Sequence, residues 1–272
     1  MNGHKSVITC IYNSKGGCSK TTSTINIAGI LATEYGKKVL IVDADTSANA
    51  SSAIGRSEDP VVDFATLLID YSSDHTSIGE LSDAICKTNV DNIDIIPCIN
   101  KTIYVRASKI IGADSEDGGF YFKDFFEQIE DDYDFIIIDV GAGQNDLNPL
   151  ATNALNCADV VLIPFFADAF DISGLDDVIK ASTRRRSNPD LKVLGVFLNR
   201  FKAEDALQKY VRDEAPEQVG DAFIPVTVRD SAEIANAVLN KLPVCLYRPK
   251  NAVVQDFREL TAEIMKRLEA ME

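Results

Sequence analysis

Residues 8–22 read I-T-C-I-Y-N-S-K-G-G-C-S-K-T-T, an apolar run followed by two glycines, a lysine and two threonines. The residues that follow, I-N-I-A-G-I-L-A-T-E-Y-G at 25–36, have helical spacing. This order predicts a strand that turns through glycines into a helix N-terminus, where backbone N–H groups and the helix dipole attract an anion. In such a loop Lys20 is expected to reach β- and γ-phosphates and Thr21 to offer its hydroxyl to Mg²⁺. The sequence therefore predicts a nucleoside triphosphate site.

The loop departs from the usual phosphate-binding pattern G-x-x-x-x-G-K-[ST], because Ser14 and Ser19 stand where that pattern has glycine. The chain has K-G-G-x-x-K-T instead, with Lys15 five residues before Lys20. Gly16 and Gly17 keep the close approach of backbone to ligand. Glycine tolerates a positive φ far better than serine does, so the backbone conformation at Ser19 is the open question of this loop.

Apolar runs alternate with helical patterns along the whole chain, which predicts an α/β fold, doubly wound, with a mostly parallel sheet and helices on both faces. We treat residues 1–272 as a single domain because no linker or repeat interrupts the pattern. A short helix is expected near Ile78, and a last amphipathic helix over Ala252–Met271 is expected to dock on the body of the fold. The expected strands are Val7–Tyr12, Val39–Val42, Ile93–Pro97, Phe135–Asp139, Val160–Pro164, Val193–Leu198 and Ala222–Pro225.

Carboxylates lie where two of these strands end. Asp43 and Asp45 follow V-L-I-V, and Asp139 ends F-I-I-I-D. Ligands of open α/β sheets bind at the carboxyl ends of the strands, so these acids are expected beside the phosphates. Mg²⁺ takes oxygen ligands and keeps several waters. Thr21, Asp43 and Asp139 are the predicted metal residues, with Asp139 acting on the ion through water.

The form K-G-G-x-x-K-T resembles the deviant Walker A loop of the ParA/MinD superfamily of ATPases, and D-A-D-T-S-A-N-A-S at 43–51 resembles its switch I. The resemblance implies that Asp45 orients or activates the attacking water and that Lys15 reaches the phosphates of a partner subunit. The strand G-V-F-L-N-R resembles the one whose terminal asparagine contacts adenine, here Asn199 with Arg200 beside it. The nucleotide-binding residues implied in the loop are Lys15, Gly16, Gly17, Cys18, Ser19, Lys20, Thr21 and Thr22.

The resemblance covers nearly the whole chain and is strongest to the ParA branch, which carries V-R-D-S-A and K-L-P-V segments like those at 228–232 and 241–244. It implies an ATPase that needs ATP and Mg²⁺ and releases ADP and phosphate. It also implies an ATP-dependent homodimer, nonspecific DNA binding, and a ParB-like centromere-binding partner that stimulates hydrolysis during plasmid or chromosome partition. A cytoplasmic, nucleoid-associated location would follow. Lys241, Arg248, Lys250 and Arg184–Arg186 are the expected DNA contacts.

Composition bounds these expectations. The net charge of −15 opposes long-range attraction to nucleic acid, although seven basic residues against four acidic ones lie between Asp171 and Lys202. The six cysteines have no C-x-x-C pairs, so they are expected to be small core residues. No long uncharged apolar run and no room for a signal peptide before the first strand are found, so no membrane association is expected.

Three other functions remain open from the sequence. The first is a MinD-like spatial regulator that binds membrane through its C-terminal helix, against which the acidic residues of that helix argue. The second is an iron–sulfur carrier, which needs a cysteine where Asp146 stands. The third is a nucleotide-binding scaffold with low turnover, for which Ser19 and the altered segment after Asp139 give some reason.

Overall fold

The computed structural model describes residues 5–75, 78–114, 119–143, 148–167, 179–180 and 187–271. One sheet organises them, and its strands carry mostly buried side chains, as expected for strands covered on both faces. The strands are β1 Val7–Ile11, β2 Val39–Ala44, β3 Cys86–Lys87, β4 Ile93–Ile96, β5 Phe135–Val140, β6 Val160–Phe166, β7 Lys192–Phe201 and β8 Phe223–Arg229.

The eight strands lie in the order β3-β4-β2-β5-β1-β6-β7-β8. All neighbouring pairs are parallel except β3–β4, which is antiparallel. Strand β1 lies in the middle, and the chain winds outward from it in both directions. This arrangement confirms the predicted doubly wound α/β fold.

Helices cover both faces of the sheet and enclose one apolar core on each side. The two cores are large enough to bury nearly every predicted strand residue. The helices are α1 Lys20–Glu34, α2 Asn49–Ala53, α3 Phe64–Asp74, α4 Lys101–Ala113, α5 Tyr121–Phe126, α6 Pro149–Cys157, α7 Ala206–Val219, α8 Ala232–Leu239, α9 Val244–Tyr247 and α10 Ala252–Glu269.

The expected C-terminal helix is confirmed as α10, and the side chains of its apolar face are buried against α1 and β8. The short helix expected to start near Ile78 begins at Leu81 and is a 3₁₀ helix, Leu81–Ala84. Strand β3 was missed, since two residues show no periodicity. The six cysteines are all buried, as expected for small core residues.

The parallel strands bring their carboxyl ends to one edge of the sheet, where β2 and β5 pair with Asp43 opposite Asp139. The connection between β1 and α1 crosses the same edge. The fold therefore gathers the predicted phosphate loop and the predicted acids in one place. Within the described ranges, no helix has both the length and the apolar character needed to cross a bilayer.

Candidate functional site

The loop between β1 and α1 is held in shape by buried Asn13. Its Oδ1 accepts the N–H of Lys15 at 2.9 Å, and its Nδ2 donates to the carbonyl of Pro164 at 2.9 Å. Gly17 follows with a φ of 79°, a conformation that glycine adopts without strain. The first N–H groups of α1 have no partner within the helix, so they are available to an anion at the loop. No phosphate-loop pattern specifies the position of Asn13, so its role could not be predicted from the sequence.

Ser19 adopts the left-handed conformation that the usual glycine would take, with φ 63° and ψ 36°. The backbone shape of the loop is therefore kept although the residue type differs. The left-handed conformation costs a residue with a Cβ about 1–2 kcal/mol. Strain of this kind is retained where the surrounding structure requires the conformation. The open question at Ser19 is thus answered: the serine follows the loop, at an energetic cost.

We expect Ser19→Gly to raise the free energy of unfolding by up to about 1 kcal/mol, because relief of the strain exceeds the extra chain entropy of glycine. Urea denaturation of the nucleotide-free protein measures this change. Ser108→Gly is the matched control, since Ser108 lies inside α4 in the right-handed conformation and its replacement should lower the free energy of unfolding by about 0.5 kcal/mol. Equal losses in both variants would show that Ser19 is not strained.

Lys20 crosses the loop rather than pointing into solvent. Its Nζ donates to the carbonyls of Asn13 at 3.0 Å and Lys15 at 3.1 Å. Burial lowers the pKa of the Lys20 ammonium, and the nearby carboxylates of Asp139 and Asp45 oppose that shift. A partly desolvated ammonium over a turn of exposed amides is a strong point charge for a phosphate oxygen.

Thr21 lies at the start of α1 and donates its hydroxyl to Asp139 Oδ2 at 2.6 Å. Asp139 is fully buried, and its Oδ1 is left without a hydrogen-bond partner among the described residues. Burial and the neighbouring Asp43 raise the pKa of Asp139 well above its usual range. A buried carboxylate oxygen without a partner, beside a hydroxyl, fits the oxygen ligands that Mg²⁺ prefers. The structure therefore places Thr21 and Asp139 together, and their binding of Mg²⁺ stays a prediction.

Asp43, the third predicted metal residue, uses both of its oxygens within the protein. Oδ2 accepts the N–H of Ser51 at 2.7 Å and its hydroxyl at 2.6 Å, and Oδ1 accepts the N–H of Asp45 at 3.2 Å. Burial raises the pKa of Asp43 to about 6 despite these donors. In this arrangement Asp43 anchors α2 to the end of β2, and its part in metal binding stays a prediction.

Asp45 and Lys15 lie at the same edge of the sheet, Asp45 after β2 and Lys15 after β1. Asp45 is partly buried, its Oδ1 accepts the N–H of Ser47 at 2.8 Å, and the carboxylate lies against Gly141 at the end of β5. Lys15 is partly exposed on the loop. Cys18 is buried within the loop, whereas Gly16 is exposed. The structure thus brings Asp45 to the predicted metal residues, and the reach of Lys15 to a partner subunit stays a prediction.

A cleft of about 510 Å³ opens beside the first turn of α1. Its polar side is formed by Ser19 and Thr22 with Asn199 and Arg200, and its apolar side by α8. Asn199 is buried, donating to Ser23 Oγ at 3.1 Å and accepting the N–H of Arg200 at 2.8 Å. The cleft has the size and the mixed walls of a small-molecule site. Its contact with the base of a nucleotide stays a prediction.

Two features of this cleft were missed by the sequence analysis. One is the apolar wall of α8, which its short amphipathic pattern could have indicated. The other is Asp230, whose carboxylate lies 3.8 Å from Arg200 and 3.4 Å from Lys202. Of the expected DNA contacts, Lys241, Arg248 and Lys250 are exposed, and Arg184–Arg186 lie outside the described residues.

Comparisons with known proteins find similarity over nearly the whole chain. A model of the AAA_31 family, an AAA domain, matches residues 6–193. The sporulation initiation inhibitor protein Soj of Bacillus subtilis (strain 168) is 29% identical over 259 residues, which are 94% of this chain and 97% of Soj. The chromosome partitioning protein ParA of Caulobacter vibrioides (strain NA1000 / CB15N) is 28% identical over 276 residues, covering 98% and 97%.

Among solved structures, the septum site-determining protein MinD of Pyrococcus horikoshii OT3, complexed with Mg-ADP, is similar with a TM-score of 0.74. It is 26% identical, and the match covers 95% of this chain and 96% of that one. The similarity therefore includes the sheet, the loop and the strand ends that carry the acids.

Proposed function

The chain belongs to the AAA_31 family, within the ParA/MinD superfamily of P-loop ATPases, and from this we propose that it is a partition-type ATPase. It binds ATP with Mg²⁺, hydrolyses it to ADP and phosphate, and couples the nucleotide state to dimerisation and DNA binding. Two relatives named for chromosome partitioning and sporulation control, each similar over nearly its full length, support this class of activity.

The observation that carries the proposal is the contact of 2.6 Å between Thr21 Oγ1 and Asp139 Oδ2. It joins the helix that follows the phosphate loop to the strand that ends in a buried acid. The orphaned Oδ1 of Asp139 lies at the same point. This geometry supports Mg²⁺ binding by Thr21 and Asp139, and the ion, when bound, neutralises charge on the β- and γ-phosphates.

The other residues have separate roles in this proposal. The amides at the start of α1 hold the phosphates, and Lys20 exchanges its two carbonyl partners for phosphate oxygens. Asp45, tied to the end of β2 through Asp43, orients the attacking water. Phosphoryl transfer depends on positioning and charge stabilisation more than on covalent chemistry. A loop, a lysine and two placed carboxylates are therefore sufficient parts.

The coupling to partition rests on Lys15 and on exposed basic residues. Lys15 reaches the phosphates of a second copy, so that hydrolysis depends on the homodimer. Nonspecific DNA binds to the ATP-bound dimer through phosphate contacts, and a ParB-like centromere-binding protein stimulates turnover. Exposed Lys241, Arg248 and Lys250 support the DNA contact on a chain that is acidic as a whole. A nucleoid-associated location in the cytoplasm follows from these proposals.

DNA binding tests the partition role directly. We expect the protein with a slowly hydrolysed ATP analogue to bind a random duplex, and the protein with ADP to bind it far more weakly. Changing Lys241, Arg248 and Lys250 to glutamine should weaken binding by about tenfold or more. It should also flatten the salt dependence, because a protein that makes fewer phosphate contacts releases fewer counterions from the DNA. Fluorescence anisotropy at about 50 and about 200 mM salt measures both effects.

The matched control removes the same charge from an exposed surface elsewhere, with glutamine at Arg106, Lys109 and Lys209. This control should bind DNA nearly as the wild type does. Nucleotide-independent binding, or equal loss in both triple variants, would contradict the proposed DNA contact. Turnover that stays negligible with DNA and partner present would favour a nucleotide-binding scaffold instead.

A further inference from the structure

A short path connects the two ends of the proposed site on the face of the sheet that carries α1, α2 and α8. At one end α2 follows the segment with Asp43 and Asp45. At the other end α8 forms the apolar wall of the 510 Å³ cleft. Helix α2 packs against α8, and the turn that follows α2 contacts the turn that follows α8. A change at one end can therefore reach the other without crossing the core.

Hydrogen bonds connect α2 to the segment with Asp43 and Asp45. Ser51 of α2 donates both its N–H and its hydroxyl to Asp43, and its Oγ accepts the N–H of Cys98 at 2.8 Å. These bonds tie α2 to the end of β2 and to Cys98, two residues after β4. The position of α2 and the position of the Asp43–Asp45 segment are thus fixed together.

Besides this helix packing, a backbone hydrogen bond joins the segments that follow α2 and α8. The N–H of Gly55 donates to the carbonyl of Lys241 at 3.0 Å, and the carbonyl of Gly55 accepts the N–H of Asn89 at 2.8 Å. A Cβ on Gly55 would lie 2.5 Å from Asn89 Nδ2 and 3.5 Å from Lys241 Cβ. The absence of a side chain therefore lets the two backbones approach. Lys241 itself has a φ of 56°, which turns the chain out of α8.

The turn after α8 is fixed on its far side to the phosphate-loop helix. Asn26 Oδ1 of α1 accepts the N–H of Val244 at 2.8 Å. Gly29 of α1 lies directly against Pro243, since a Cβ there would be 2.5 Å from the proline Cβ. With Val244 and Pro243 held by α1, a shift of α8 is taken up at Lys241, which is the residue bonded to Gly55.

The α8 wall is incompletely covered. Val238 is 38% exposed and Leu239 is 81% exposed, although both line the cleft. A flat heterocycle bound there would bury apolar surface of α8 that the protein leaves open. Burial of such surface is favourable in proportion to its area. The free energy of binding the base can therefore favour the position of α8 in which more of this surface is buried.

We propose that the Gly55–Lys241 hydrogen bond is a positioning contact through which a bound base sets the position of α2 and of the Asp43–Asp45 segment. The inference rests on the proposed function and deepens it. A nucleotide with its base would order the water-orienting acids, whereas a phosphate chain alone would fill the loop and leave them unchanged. Gly55 and Lys241 act here through α2 and touch no reacting atom.

Hydrogen exchange with ADP and with pyrophosphate, both with Mg²⁺, separates the base from the phosphates. The amides of Ser51, Ser52 and Ile54 are hydrogen bonded in or beside α2 and report on its order. We expect saturating ADP to slow their exchange by about fivefold or more beyond pyrophosphate, a typical size for coupling between two sites. Equal slowing by the two ligands would overturn the inference.

Two double variants test the bond itself. Gly55→Pro with Asn89→Ala removes the donor, and the extended conformation of Ile54 (φ −119°, ψ 139°) accepts a following proline. Gly55→Ala with Asn89→Ala keeps the donor and gives the Cβ room. The alanine pair should keep the difference between ADP and pyrophosphate, and the proline pair should reduce it to less than about twofold.

Each remaining outcome also tests the inference. A full difference retained in the proline pair would overturn the role of this bond. If the proline pair fails to fold, the wild-type comparison of the two ligands still decides the inference. Absence of ADP binding by calorimetry would overturn the proposed function and the inference together, whereas ADP binding with equal slowing overturns the inference alone.

Discussion

Lys20→Ala is expected to reduce kcat for ATP hydrolysis by at least about a hundredfold, because a preorganised charge beside the transferred phosphoryl group is lost. In the structure the Lys20 ammonium is partly desolvated and lies over the loop that would hold the phosphates. A charge in such surroundings acts more strongly than one in water. Phosphate release under saturating Mg-ATP measures the effect.

The control for this variant is Lys109→Ala, which removes an exposed lysine from α4. It should leave kcat unchanged. Melting of nucleotide-free Lys20→Ala should stay within a few degrees of the wild type, since loss of the two carbonyl contacts is offset by removal of a desolvated charge. A variant that melts normally and hydrolyses ATP at the wild-type rate would contradict the role of Lys20.

Asp139→Asn is expected to act in opposite directions on stability and on activity. Without nucleotide and metal, at about pH 8, it should raise the free energy of unfolding, because the amide removes a carboxyl whose ionisation is disfavoured by burial and by Asp43. The asparagine carbonyl can still accept the Thr21 hydroxyl. Hydrolysis should fall by about a hundredfold or more, since the predicted metal residue has lost its charge. Calorimetric melting and phosphate release measure the two effects.

The pH dependence follows from the raised pKa of Asp139. A carboxyl whose pKa is raised in the folded state costs stability at every pH above its unfolded value of about 4, and the cost grows with pH until the folded pKa is reached. The stability advantage of Asp139→Asn should therefore shrink from pH 8 toward pH 4. Asp94→Asn is the control, because Asp94 is buried but accepts hydrogen bonds from Lys87 and Tyr133, so its replacement should destabilise. Destabilisation by both variants at pH 8 would contradict this account.

Much of the site could be predicted from the sequence because its parts are local or strictly ordered. The turn from β1 into α1 is formed by consecutive residues, so a local pattern predicts it. Asp43, Asp45 and Asp139 directly follow or end apolar runs, and parallel strands must bring such ends to one edge. The contact between Thr21 and Asp139 follows from these two facts together, although 118 positions separate the residues.

The rest depends on contacts that no local pattern records. Whether Ser19 would keep the left-handed turn depended on the surrounding loop and not on serine itself. The bonds of Asp43 to Ser51 and of Gly55 to Lys241 join segments whose relative position only the folded chain defines. Strand β3 forms because β4 offers an edge, and two residues carry too little pattern to predict it.

Isothermal titration calorimetry with Mg-ATP tests the central claim, that the turn between β1 and α1 is a site for the phosphates of a nucleotide. The account predicts saturable binding at one site per chain for the wild type and a loss of affinity of about tenfold or more in Lys20→Ala. Absence of binding heat for Mg-ATP and Mg-ADP across temperatures, in a protein that melts cooperatively, would contradict it.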